Sequence, residues 1–351
     1  MRSATGRIEG LDVLRGAAAL AVMVHHHAQY YDVLYPGRAP LPVDLGAGHF
    51  GVELFFIISG FAILMTIERK RTVLDFALSR FGRLMPAFLA ALAIATLLLI
   101  LRPMPPLHTP GIVQFIANLT MAPALFGQAE VDLPYWTLTY ELVFYFLMAL
   151  VLGMNRLRQV EWFSLLLLGI GVLVWAFVDI PAHRRLAIVS LAHYSNFFLI
   201  GICLYRLHAR TARPITWLAL ACAIAASARG GGEQAFYASP VDYLLLTIAF
   251  AGLVWFATGR HGHWLAWRPA VFLGRISYPL YLVHVAVGYQ IILFGVTKGW
   301  STALGVVMAC VVSLMLATLL HYLVELPGQR WARVTFHRLP PAMRSLPDTA
   351  E

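Results

Sequence analysis

Ten apolar stretches succeed one another along the chain, at roughly 11–31, 49–67, 84–101, 135–153, 162–179, 187–205, 215–229, 240–258, 272–295 and 300–324. A helix needs about 20 predominantly apolar residues to cross the hydrocarbon of a bilayer, and there it must satisfy every backbone N–H and C=O internally. The pattern therefore predicts an all-α polytopic membrane protein with about ten transmembrane helices. Composition agrees, since 60% of the 351 residues are hydrophobic and only 12% are charged, about half the charged share of a soluble domain. The segment 111–127 is apolar but short and follows Pro103, Pro105, Pro106 and Pro110, so it is expected to be re-entrant or interfacial.

The net charge of +9 points to topology rather than to a nucleic-acid partner, because the basic residues sit in short loops between apolar runs. With the N-terminus in the cytoplasm, 20 of the 26 Lys and Arg residues fall on the inner side. They are Arg2, Arg7, Arg15, Arg69, Lys70, Arg71, Arg80, Arg83, Arg156, Arg158, Arg206, Arg210, Arg213, Arg260, Arg268, Arg275, Arg330, Arg333, Arg338 and Arg344. Outside fall Arg38, Arg102, Arg184, Arg185, Arg229 and Lys298, and both termini are expected in the cytoplasm. Counting 111–127 as a crossing would invert every later loop. The first run ends in His25, His26 and His27 rather than a small-residue cleavage site, so it is expected to stay as an anchor. Cys203, Cys222 and Cys310 lie inside apolar runs and read as buried thiols. The expected organisation is one membrane domain over residues 1–330 and a short cytoplasmic tail over 331–351.

Ionisable groups inside a span are costly and normally face a protein interior or a wet cavity. Arg15 and His26 are eleven residues apart on the first run, about 16 Å along a helix and within about 20° of one face. His25 and His27 point elsewhere, and consecutive residues diverge by about 100°, so the three rings do not form a metal site on one face. Glu53 opens the second run at a depth similar to His26. A carboxylate there would orient the ring of a general base, and a plain structural His–Glu hydrogen bond fits the spacing equally. Arg80 and Arg83 share a helix face and, with Arg15, suit phosphate oxygens, whereas Arg69, Lys70 and Arg71 read as ordinary inner-side charge. Glu141, with Trp136 and Tyr140, lies too deep in its run to face lipid. Arg275, Ser277, Tyr278, Tyr281 and His284 form a polar island on the ninth run, and Glu325 reads as an ion-pair partner for Arg15 or Arg80. His261 and His263 lie in an inner loop and carry no expected chemistry.

In order, LDVLRG with Arg15 and His26, GVELFFIISGF, RFGRLMP, WTLTYELVFYF, ISYPLYLVH and VELP resemble the membrane-bound acyltransferase-3 family. That family acylates sugars and other hydroxyl-bearing molecules, often on bacterial surface polysaccharides. The resemblance spans about residues 8–330 and implies a ten-helix core in a bacterial inner membrane. It also implies acyl-coenzyme A, acetyl-coenzyme A in particular, as co-substrate, with no permanently bound cofactor. The acceptor it implies is a carbohydrate or lipid-linked glycan, among membrane lipids and without nucleic acid. Position by position, it makes His26 the essential histidine, Arg15 its paired arginine and Glu53 the acidic residue of the second motif. Arg80 and Arg83 match the coenzyme-side arginines, while Trp136, Glu141, Tyr281 and His284 match substrate-side positions. Thr137 stands where the family often has Ser, and Leu326 follows Glu325 where a basic residue is common. Two other readings fit the residues: a proton-coupled transporter or flippase using Arg15, His26, Glu53 and Glu141 as a pathway, and an acyltransferase of a cytoplasmic glycosylated small molecule.

Overall fold

The computed structural model describes residues 8–39, 41–70, 72–105, 107–229 and 239–338. Arg2, Arg7, Arg71 and Arg344 of the charge count, Pro106, and the expected tail beyond residue 338 lie outside the described residues. Among those described, the regular structure is helical, with one isolated bridge between Met104 and Leu107. The principal helices are α1 (Glu9–His25), α2 (Gly51–Ile67), α3 (Val73–Leu101), α4 (Trp136–Gly153), α5 (Val160–Phe177) and α6 (Ser195–His208). They continue with α7 (Pro214–Ala226), α8 (Pro240–Thr258), α9 (Arg268–Thr297), α10 (Thr302–Leu320) and α11 (Leu326–Arg338). Starts are set locally: Pro214 and Pro240 open their helices, where a missing N–H costs nothing, and the Ser301 hydroxyl caps the Leu304 N–H at the head of α10.

Seven helices among the described residues are long and apolar enough to cross a membrane, α2, α3, α4, α5, α8, α9 and α10 among them by range. The protein is therefore an all-α polytopic membrane protein. The three other expected spans fall on segmented or shorter helices. The first is α1 followed by a π-turn over His26–Tyr30 and a short helix Tyr31–Leu34, and the sixth and seventh contain α6 and α7. In the segment 111–127 the helix Ile112–Asn118 has only seven residues, about 10 Å, too short to cross.

The chain divides into two compact units. The first takes residues up to Phe55, Ala87–Thr139 and Phe256–Val324. Within it α1 and α9 run side by side, in contact at two glycines. A Cβ on Gly16 would lie 2.6 Å from the Gly274 nitrogen, and one on Gly274 would lie 2.0 Å from the Asp12 carbonyl oxygen. Only hydrogen at both positions permits this approach, the small-residue packing by which helices associate in lipid. Beyond the crossing, Ala19 and Met23 of α1 pack with Ile276 and Leu280 of α9 and Ala317 of α10. Gly48 and Gly51, at the head of α2, press in turn on the Ala21 and Ala18 carbonyls of α1.

The second unit takes Phe56–Pro86, Tyr140–Trp255 and the chain from Glu325 on. Gly60 and Gly201 bring α2 and α6 together, each with its Cβ position about 2 Å from a carbonyl of the other helix. The rings of Phe144 and Phe198 stack at 4.1 Å beside Phe56 and Tyr194. At the other end of this unit Glu161 is fully buried, 3.1 Å from Arg213, 3.4 Å from Arg206 and 3.0 Å from the Thr216 hydroxyl. Arg206 also pairs with Glu68, so this arginine of the inner-side count serves as an internal counter-ion, while Arg213 stays exposed at the rim of the same cluster.

Candidate active site

The helix that carries the three histidines changes register exactly where they occur in sequence: α1 ends at His25, and the next turn, His26–Tyr30, is π-helical. Such wide turns leave backbone groups poorly matched and occur often at functional sites. Arg38 satisfies two of these groups, donating to the carbonyls of His27 and Ala28 while its own charge pairs with Asp32. It is an outer-side arginine of the sequence count, and it is buried.

The three rings diverge, His25 toward His49 and the other two toward different atoms of His284. His25 is buried with its ring 5.5 Å from that of His49. His27 is fully buried, its Nε2 donating to the His284 carbonyl at 2.8 Å and its Nδ1 lying 3.4 Å from the Cys310 Sγ. Gly288 makes room for that ring, since a Cβ there would fall 2.0 Å from the His27 Nε2. His26 stays partly accessible, and its Nδ1 lies 2.9 Å from Nε2 of His284, itself fully buried on α9.

The register that makes this pair is set by spacing: Gly16 to His26 and Gly274 to His284 are both ten residues. Two parallel helices in contact at the glycines thus bring the rings to one level, about 15 Å farther along. The hydrogen bonds also fix which nitrogens carry protons. His284 Nδ1 faces two acceptors, the carbonyls of Tyr281 at 2.9 Å and Leu280 at 3.2 Å, so it bears the hydrogen. In the neutral ring Nε2 is then an acceptor, His26 must donate through Nδ1, and the lone pair of His26 sits on Nε2. The result is an accessible imidazole with a defined basic atom, held by a second, inaccessible one.

The remaining expected residues of this unit lie on α1, α2, α4 and α9. Tyr281, one turn before His284, has its hydroxyl 2.8 Å from that of Thr137 and 3.1 Å from the Pro134 carbonyl. Its ring meets Phe55 edge-on at 5.8 Å. Thr137 is thus a hydrogen-bonding partner in its own right, through the hydroxyl it shares with Ser. Glu53 is buried in the first turn of α2, two residues before Phe55. Trp136 is half-buried at the head of α4, and Arg15 is half-buried next to the glycine crossing, about 16 Å along α1 from His26.

In the second unit Glu141 accepts hydrogen bonds from the Ser59 hydroxyl at 3.0 Å and from the Tyr145 hydroxyl. Arg80 interacts with both Tyr145 and Glu141, and it is repelled by Arg83 one turn on. Arg80, Arg83 and Glu141 therefore belong to one polar cluster, as do Ser59 and Tyr145, which the sequence reading passed over. Tyr145 was legible as the residue four positions after Glu141, on the same helix face. Glu325 is buried and accepts a hydrogen bond from Gln329 at 3.0 Å.

A sequence profile described as an acyltransferase domain matches residues 8–322. Nodulation protein 10 of Rhizobium leguminosarum bv. viciae is 26% identical, over 84% of this chain and 87% of its own length. Acyltransferase MdmB of Streptomyces mycarofaciens is likewise 26% identical, over 92% of each chain. No solved structure matches.

Proposed function

Because the chain belongs to the acyltransferase-3 family and is a membrane O-acyltransferase acting on hydroxyl acceptors, we propose that it moves an acetyl group from acetyl-coenzyme A to a carbohydrate hydroxyl. The acceptor is a cell-surface or exported glycan, free or lipid-linked, and the enzyme sits in a bacterial inner membrane with both termini cytoplasmic. The observation that carries this reading is the 2.9 Å His26–His284 pair on a half-buried His26, from which it follows that Nδ1 donates and Nε2 keeps the lone pair.

In the reaction, Nε2 of His26 takes the proton of the acceptor hydroxyl as its oxygen attacks the thioester carbon. The His284 Nε2 lone pair keeps accepting from Nδ1 of His26 and so stabilises the imidazolium. Glu53, buried at the head of α2, is assigned to the same catalytic group. The C–S bond then breaks, and the imidazolium returns its proton to the departing thiolate, so the products are an ester and a free thiol. Arg80 and Arg83 hold the coenzyme's phosphates, guanidinium groups matching phosphate oxygens in pairs, and Arg15 is also assigned to the coenzyme. Trp136, Glu141 and Tyr281 bind substrate.

The test is purified protein with labelled acetyl-coenzyme A and a glycan acceptor. Thiol release must depend on acceptor and match ester formed, and His26→Ala must lose it while remaining in the membrane. Unchanged turnover in His26→Ala overturns the base assignment. Mass spectrometry of envelope glycans with and without the protein identifies the acceptor. Intact envelope glycans together with a missing acyl group on a soluble glycoside would transfer the reading to a cytoplasmic acceptor.

A further inference from the structure

The turn of α9 that carries His284 is gripped from outside its own helix. Ala286 N–H and Leu282 C=O stand four residues apart and are the natural partners of one helical hydrogen bond. Here the Ala286 N–H donates to Oδ2 of Asp132 at 3.1 Å, and the Leu282 carbonyl accepts from the Tyr135 hydroxyl at 3.2 Å. The His284 carbonyl between them accepts from His27. Asp132 and Tyr135 come from the same 3-10 turn at the head of α4, where Asp132 uses its other oxygen to cap the Leu133 N–H at 2.9 Å. Both side chains are buried.

The need for this grip follows from α9 itself. Pro279 supplies no N–H for the carbonyl one turn earlier, and Gly288 leaves the chain without a side chain where His27 presses on it. Between those two points the grip adds to what the helix itself gives His284, whose Nδ1 faces the Leu280 and Tyr281 carbonyls. A buried carboxyl is also an expensive filler: burial pushes Asp132 up to about 7, against two N–H donors that favour the anion. A side chain kept at that cost serves a geometric end.

We propose that Asp132 and Tyr135 are positioning residues for acyl transfer, clamping the 282–286 turn of α9 so that Nε2 of His284 stays within hydrogen-bonding distance of Nδ1 of His26. The inference rests on the reading of His26 as the base. Neither residue touches substrate; they act through His284.

The test uses Tyr135→Phe and Asp132→Asn in the full chain. Tyr135→Phe keeps the ring against Phe88, 5.2 Å away, and loses only the hydroxyl. Asp132→Asn keeps an acceptor for one of the two N–H groups and loses the other. Each should lower kcat by about tenfold to a hundredfold, with KM for acetyl-coenzyme A and melting temperature unchanged. In a His284→Ala background, Tyr135→Phe should cost nothing further, because the group it positions is gone. A melting temperature that falls in step with activity, or a full additional loss in the His284→Ala background, makes the clamp merely structural and overturns the proposal. Full kcat in Tyr135→Phe does the same, and that variant decides the question even where Asp132→Asn fails to fold. If His26→Ala is itself active, the base reading has failed first, and the two failures are thereby separate.

Discussion

Gly274→Ala places one methyl group where α1 and α9 touch. Its carbon would fall 2.0 Å from the Asp12 carbonyl oxygen and 2.4 Å from the carbonyl carbon, both backbone atoms that no rotamer change can move. Ordinary contact begins near 3.4 Å, so the helices must part by about 1.4 Å. Carried along rigid rods to the histidines, such a displacement opens the 2.9 Å His26–His284 hydrogen bond past the 3.5 Å at which it ceases to be one. Loss of alignment on the scale of 1 Å at a reacting group costs about a hundredfold in rate, or about 2.7 kcal/mol in activation free energy. The overpacking itself destabilises by about 1–3 kcal/mol. The assay is acceptor-dependent thiol release by purified protein, read beside thermal melting. Gly252→Ala is the matched control, since a Cβ there meets nothing within 4 Å. Gly274→Ala with the turnover of Gly252→Ala would show that the glycine crossing does not set the histidine register.

Arg80→Gln and Arg83→Gln should each raise KM for acetyl-coenzyme A by about tenfold or more, the worth of a charge-assisted hydrogen bond, with kcat preserved at saturating donor. S-acetylpantetheine, which lacks the nucleotide phosphates, should be used equally by wild type and variants; an equal loss with both donors removes the phosphate role. Glu161→Gln should destabilise the protein by about 1–3 kcal/mol, because the buried Arg206 keeps Glu68 but faces a neutral amide at position 161. Unchanged thermal melting of the detergent-solubilised variant would refute that assignment.

Hydropathy exposed the architecture because lipid leaves helices few alternatives, and the apolar runs could be read almost as a diagram. It did not expose the breaks within the runs. The π-turn at His26–Tyr30 alters hydrogen-bond register without altering composition, so the first run read as one uninterrupted helix. The face that Arg15 and His26 are expected to share was read from spacing alone. The partner of His26 was not: His284 lies 258 residues away, and carboxylate–imidazole pairing made Glu53 the natural choice. The equal ten-residue intervals from Gly16 and Gly274 were present in the sequence, but they acquire meaning only once the two glycines are known to touch. Asp132 escaped notice for a simpler reason. It precedes an apolar run in a loop, where a carboxylate normally meets water, and nothing local indicates that it is enclosed.

The meeting of α1 and α9 makes the two helices the arms of a pair of tongs, with the glycines as pivot and the histidines near the tips. With arms of about 15 Å, a splay of about 5° moves the tips apart by roughly 1.3 Å, enough to part His26 from His284. Forces applied far from the chemistry therefore reach it by leverage. Bilayer thickness and lateral pressure act on the ends of both rods, so turnover of the protein reconstituted in thin and in thick bilayers is expected to differ.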